Sequence, residues 1–143
     1  MSRYQSQTEI ENIVRAFEAC ETGADDFKHP DHLAVAVWYV ETLGREATVE
    51  RMRSALMRFL DHHGVDKKQY NETMTIFWID VVAEKLDDMR EASLVQKCNE
   101  VVESMKGGLV LEYYSAERLW SDEAREKFVS PDLKPWNGSE FKL

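Results

Sequence analysis

The chain has 143 residues, a length that suits one domain. Its net charge of -9, from 27 acidic and 18 basic residues, argues against nucleic acid and anionic membrane surfaces as partners, because both demand clustered Lys and Arg. No apolar stretch reaches the roughly 18 residues of a membrane helix. The opening MSRYQSQTEIEN lacks the apolar centre of a signal peptide, so the cytoplasm is the expected location.

Helical signals recur along the chain, and strand signals are almost absent. Thr8 and Glu11 have capping-box spacing, with Ile10, Ile13, Val14 and Phe17 on one helical face behind them. Gly23 is expected to close that first helix. The second starts at FKHPDHLAVAVWYVE, where Pro30 suits a helix start. Leu33 to Val40 is apolar on every side, which predicts a central, buried helix ended by Gly44.

A third helix is expected from about Thr48 to His63, with Gly64 as its stop. After the polar loop VDKKQ, a fourth runs from about Asn71 to Arg90 and is mostly buried around Phe77, Trp78, Ile79, Val81 and Val82. Ser93 and Gln96 form a second capping box and open a fifth helix through Met105. LVLEYYS predicts a short helix. Ser115 and Ser121 read as N-caps of two more over AERLW and DEAREKF. SPDLKPWNG predicts an extended tail, with Leu133 and Trp136 lying against the body. The expectation is an all-α, single-domain helical bundle over 1–143, of five main helices, short C-terminal helices and an extended tail. Cys20 and Cys98 fall on apolar stripes and read as small buried hydrophobes.

Short loops make neighbouring helices antiparallel. The start of the second helix, the end of the third and the start of the fourth therefore share one end of the bundle. That end holds all four histidines, His29, His32, His62 and His63, together with Tyr70 and Glu72. His29 and His32, three apart, share a helix face. With Glu72 and His63 or His62 they would suit a divalent transition metal; with Glu72 alone they would suit an acid/base couple. Helix capping by His29, a loop contact by His32 and dipole complementation by His62 and His63 account for the same residues without a ligand. Tyr70 and Trp38 are further candidates for lining a small-molecule pocket, as are Tyr39 and Trp78, although core packing is the usual fate of such rings. Thr73 and Thr75 add hydroxyls near Glu72. Asp80, among apolar neighbours, is expected at the solvent edge. Arg118 and Arg125 would either grip a carboxylate or pair with Glu117, Glu123 and Glu126.

No Gly-rich phosphate loop, CxxC, HExxH or GxSxG is present. Two classes of function therefore stay open. One is a His/Glu-lined pocket for a small molecule or metal. The other is a non-catalytic interaction or regulatory module, a homodimer or a protein's partner, using an exposed stripe on the first helix or the tail.

The ordered motifs F-x-H-x-x-H-L (Phe27–Leu33), Y-N-E-T (Tyr70–Thr73), Y-S-x-E-R-L (Tyr114–Leu119), S-x-E-A-R-x-x-F (Ser121–Phe128) and P-D-L-x-P (Pro131–Pro135) resemble a family of small all-helical bacterial proteins without an assigned function. The resemblance spans 27–136 and implies a shared fold. The family pattern takes His or Asn where Asn71 stands. This chain thus lacks a His-Glu pair at that helix start, which the resemblance counts against a metal or acid/base role.

Overall fold

The computed structural model describes residues 2–136. Asn137 and Gly138 of the expected tail lie outside them. Eight α-helices follow in order: α1 (Gln7–Glu18), α2 (His29–Leu43), α3 (Arg45–His62), α4 (Glu72–Asp87), α5 (Leu94–Ser104), α6 (Val110–Tyr113), α7 (Ala116–Leu119) and α8 (Asp122–Glu126). Single 3-10 turns precede α4 and α6, and there is no strand among the described residues. The chain is an all-α bundle.

α2 is the central element, packed by α1, α3, α4 and α5. Its sequence explains this position. Leu33, Ala34, Val35, Ala36, Val37 and Tyr39 are all buried, so apolar side chains leave it in every direction. Its start is capped by the Asp31 carboxylate, which accepts from the Lys28 backbone N–H. Pro30 is its second residue, one of the first-turn positions whose N–H has no helical partner. Gly44 at φ 87 turns the chain straight into α3, three residues before the start expected at Thr48. Gly64 at φ 68 ends α3 in the left-handed conformation that glycine adopts without strain.

The first helix departs from expectation at both ends. Ser6, not Thr8, is its N-cap, accepting from Glu9 N–H at 3.3 Å. Cys20, not Gly23, terminates it, at φ 60. The Cys20 N–H reaches Phe17 O at 3.0 Å and Glu21 N–H reaches Ala16 O at 2.8 Å, the paired bonds of a Schellman motif. Gly23 is small for another reason: a Cβ there would lie 2.8 Å from Asp26 Oδ2.

Two sets of long-range hydrogen bonds hold the ends of the described chain. Buried Asn99 of α5 accepts from the Tyr4 backbone N–H at 2.8 Å and donates to its carbonyl at 3.0 Å. At the other end, Thr73 of α4 donates to Lys127 O and accepts from Val129 N–H. Tyr114 donates to Val129 O at 2.6 Å, and Asp132 accepts from both the N–H and the hydroxyl of Ser115. These bonds seat α6–α8 and the following strand-like segment over the first turn of α4.

Candidate functional site

α2 and α4 begin at one end of the bundle, and α3 ends there. Between these three helices lies a cavity of about 430 Å³, whose walls are mostly apolar: Leu33 and Ala36 of α2, Met52, Leu56 and Leu60 of α3, and Met74 and Ile79 of α4. His29, His32, Tyr70, Asn71, Thr75 and Trp78 add rings and polar atoms, and Trp120, 49% exposed, stands in its wall from the turn between α7 and α8. No Asp, Glu, Lys or Arg lines it.

His29 is the first residue of α2, and its Nε2 is 2.9 Å from Met105 O. A carbonyl only accepts, so Nε2 carries the proton, and in the neutral ring Nδ1 is a bare acceptor. The ring meets Trp78 edge-on, centroids 4.7 Å apart. His32 sits one turn on, its ring 4.2 Å from Phe27. Burial, helped by neighbouring His29, pushes its pKa down to about 4, so it is neutral at physiological pH. No group among the described residues hydrogen-bonds to its nitrogens.

Beyond the histidines, among the described residues the Gln69 carboxamide and the indole N–H groups of Trp78 and Trp120 make no hydrogen bond, and the other polar groups of the lining are engaged. Asn71 caps α4, accepting from Met74 N–H at 3.0 Å, and its amide donates to Leu119 O at 2.8 Å. The Thr75 hydroxyl donates to Asn71 O. Tyr70 forms part of the wall with its ring, while its hydroxyl points away and donates to Glu72 Oε1 at 2.6 Å. Burial and that carboxylate raise the Tyr70 pKa, so the phenol stays protonated.

Glu72 faces the other side of Tyr70. The Arg53 guanidinium forks onto it, Nε to Oε1 at 3.0 Å and Nη2 to Oε2 at 2.5 Å. Burial alone would push the Glu72 carboxyl up. The bonds from Arg53 and Tyr70 outweigh it and hold the group below its ordinary value. It lines a separate polar groove with Arg53, Lys67, Lys68, Asp122, Arg125 and Phe128.

The metal set His29, His32, Glu72 and His63 is therefore not assembled. Among the described residues no three His, Cys, Asp or Glu side chains come together to hold a metal ion. The reason is helical phase. Glu72 is at the right end of the bundle but on the face of α4 turned to Arg53. His63 packs edge-on against Phe59 at 4.5 Å, its buried Nε2 without a partner, and His62 is exposed beside it. The acid/base couple of Glu72 with His29 or His32 fails for the same reason.

Trp38 lies on the face of α2 away from the cavity and packs against the core instead. Trp78 and Trp120 supply the indoles of the cavity. Asp80 is buried, not at the solvent edge, and accepts from the Trp136 indole N–H. Burial raises its pKa to about 6. Arg118 and Arg125 turn to backbone carbonyls, of Ser130 and Lys68, rather than to carboxylates. Residues the sequence reading passed over are Arg53, the partner of Glu72, and Trp120. An Arg halfway along an amphipathic helix and a Trp between two short ones carry no local signal of what they face. The apolar side of α1 (Ile10, Val14, Phe17) is spent on the core. On the tail Leu133 is 56% exposed, and Trp136 packs on Phe77 and Tyr113.

No family model, curated protein or solved structure matches this chain.

Proposed function

We propose that this protein acts in the cytoplasm and binds a small, uncharged and mostly apolar molecule in the cavity between α2, α3 and α4. One observation carries the reading: the cavity has no charged residue in its lining but keeps two imidazoles whose nitrogens are not used up by the protein. Ligand sites are typically concave, mostly apolar and of 300–1,000 Å³, with a few placed polar groups. The size of this cavity falls in that range. A carboxylate or phosphate ligand would enter without a cation to meet it, at a large desolvation cost. An ammonium ligand would likewise lack a carboxylate.

Binding, rather than catalysis, is the function proposed, because Glu72, the carboxylate expected to couple with the histidines, is engaged by Arg53 and Tyr70. The kinship with small helical bacterial proteins is proposed at the level of fold alone. Its motif residues Tyr114, Ser115, Arg118, Ser121 and Asp132 all serve the hydrogen bonds and caps of the C-terminal segment.

The test is fluorescence titration with N-phenyl-1-naphthylamine, a neutral apolar dye, beside its sulfonated analogue. The neutral dye should brighten on saturable binding, the sulfonate should not, and Leu56→Trp should abolish the signal by filling the cavity. Equal binding of both dyes, or a signal untouched by Leu56→Trp, would refute the reading.

A further inference from the structure

The rings and free nitrogens of the cavity say more about the ligand than its lack of charge does. Five of its lining side chains carry aromatic rings: His29, His32, Tyr70, Trp78 and Trp120. Four of them have neighbours that fix their place. Tyr70 is pinned by Glu72, His29 by Met105 O and Trp78, Trp78 by His29 and Phe77, and His32 by Phe27. Trp120 is different. It is half exposed, although Leu119 and Ala124 on either side of its turn are fully buried. An indole half exposed in a cavity wall can serve as an aromatic platform, because ring pairs attract beyond the area they bury.

Two imidazoles in the lining each offer an open acceptor. Nδ1 of His29 is an acceptor because Nε2 is committed as a donor to Met105 O. His32, neutral in its surroundings, always keeps one bare nitrogen. Tyr70 and Thr75 have both already donated, to Glu72 and to Asn71 O. The cavity thus offers acceptors at His29 Nδ1 and at one nitrogen of His32, beside donors at the other nitrogen of His32, the Trp78 and Trp120 indoles and the Gln69 carboxamide.

We infer that the ligand is a planar aromatic molecule carrying a hydroxyl or ring N–H, its ring against Trp120 and its donor on an unpartnered imidazole nitrogen of His32 or His29. This inference rests on the reading of the cavity as a binding site and names the class of molecule it takes. A saturated ring would forgo the indole face. An aromatic hydrocarbon would leave an imidazole buried without a partner, which costs about as much as a lost hydrogen bond.

The experiment compares three probes of one size, 2-naphthol, 2-methylnaphthalene and 2-decalol, by NMR titration of the full chain, following the indole N–H signals of Trp78 and Trp120. 2-Naphthol should bind about ten-fold more tightly than either comparison probe, the factor expected of one hydrogen bond or one ring pair near 1.4 kcal/mol. His32→Leu, which keeps an apolar side chain beside Phe27, should bring 2-naphthol down to the level of 2-methylnaphthalene. Trp120→Ala, at an exposed position, should bring it down to the level of 2-decalol. Equal binding of the three probes, still blocked by Leu56→Trp, would overturn the aromatic-donor inference and leave the cavity reading standing. Binding of none of them, or binding that Leu56→Trp does not block, would overturn both.

Discussion

Glu72 and His32 show how a residue's partners decide its chemistry. Glu72 has the right identity and the right end of the bundle for a site, but Arg53 and Tyr70 have taken both its oxygens. Arg53→Met should therefore destabilise the fold, because it leaves a largely buried carboxylate with one hydroxyl for company. A cost of about 2 kcal/mol is expected, below the 3–5 of a fully buried pair since the guanidinium is 36% exposed. Urea denaturation measures it, and Glu72→Gln with Arg53→Met together should recover part of the loss.

His32 and Asp80 link stability to pH in opposite senses. His32 has a folded pKa of about 4 against an ordinary 6.5, so the unfolded chain binds its proton first and stability falls as pH drops from about 6.5 towards 4. Asp80 has a folded pKa of about 6 against an ordinary 3.8, so here the folded chain protonates first and stability rises over nearly the same interval. Each effect is up to about 3 kcal/mol, and the two largely cancel. Thermal melts between pH 7 and pH 4.5 should accordingly show a shallow profile for the native chain. His32→Leu should become more stable on acidification and Asp80→Asn less stable. Parallel profiles in all three proteins would contradict the assigned environments.

At the scale of elements, most of the fold was legible and the reasons are local. Ser93, Ser115 and Ser121 announce helix starts, and Gly44 and Gly64 announce stops, because capping and positive φ are matters of a few neighbouring residues. The unbroken apolar run of α2 announces its central place. The misreadings at α1 came from the same rules: Thr8 and Gly23 have the right identities, but Ser6 and Cys20 hold the geometry. The site was half legible. Antiparallel packing brings His29, His32 and Tyr70 to one end, and that follows from loop lengths. Which way each side chain faces depends on helical phase relative to distant partners, such as Arg53 for Glu72, 19 positions away, and Leu119 for Asn71, 48 positions away. Short-range patterns do not encode that. The hydrogen bonds of Thr73 to Lys127 O and Val129 N–H likewise had no signal. Thr73→Val keeps the shape but strands a buried N–H and a carbonyl, and should cost about 2 kcal/mol. Hydrogen exchange should then speed up at Val129 and through α8 before it does in α2.

For the whole molecule, the cavity is the consequence of how three helices meet. α2 and α3, joined through Gly44 alone, leave a space with α4 at the end where α4 begins, and the turn between α7 and α8 sets Trp120 in its wall. The result is an apolar chamber in a strongly acidic protein, walled from the polar groove of Arg53 and Glu72 by the ring of Tyr70. Occupancy of that chamber should stabilise the whole bundle, since it is built from three of the helices that carry the core, and the gain should grow with the logarithm of free ligand.

The most direct measurement is therefore one that places a neutral apolar ligand on the molecule. With methyl-labelled methionines and leucines, titration of N-phenyl-1-naphthylamine should shift the signals of Met52 and Met74, which line the chamber, and leave Met57, in the polar groove, in place. Shifts confined to Met57, or saturable binding that leaves Met52 and Met74 unmoved while perturbing exposed Leu111 and Leu133, would contradict the account.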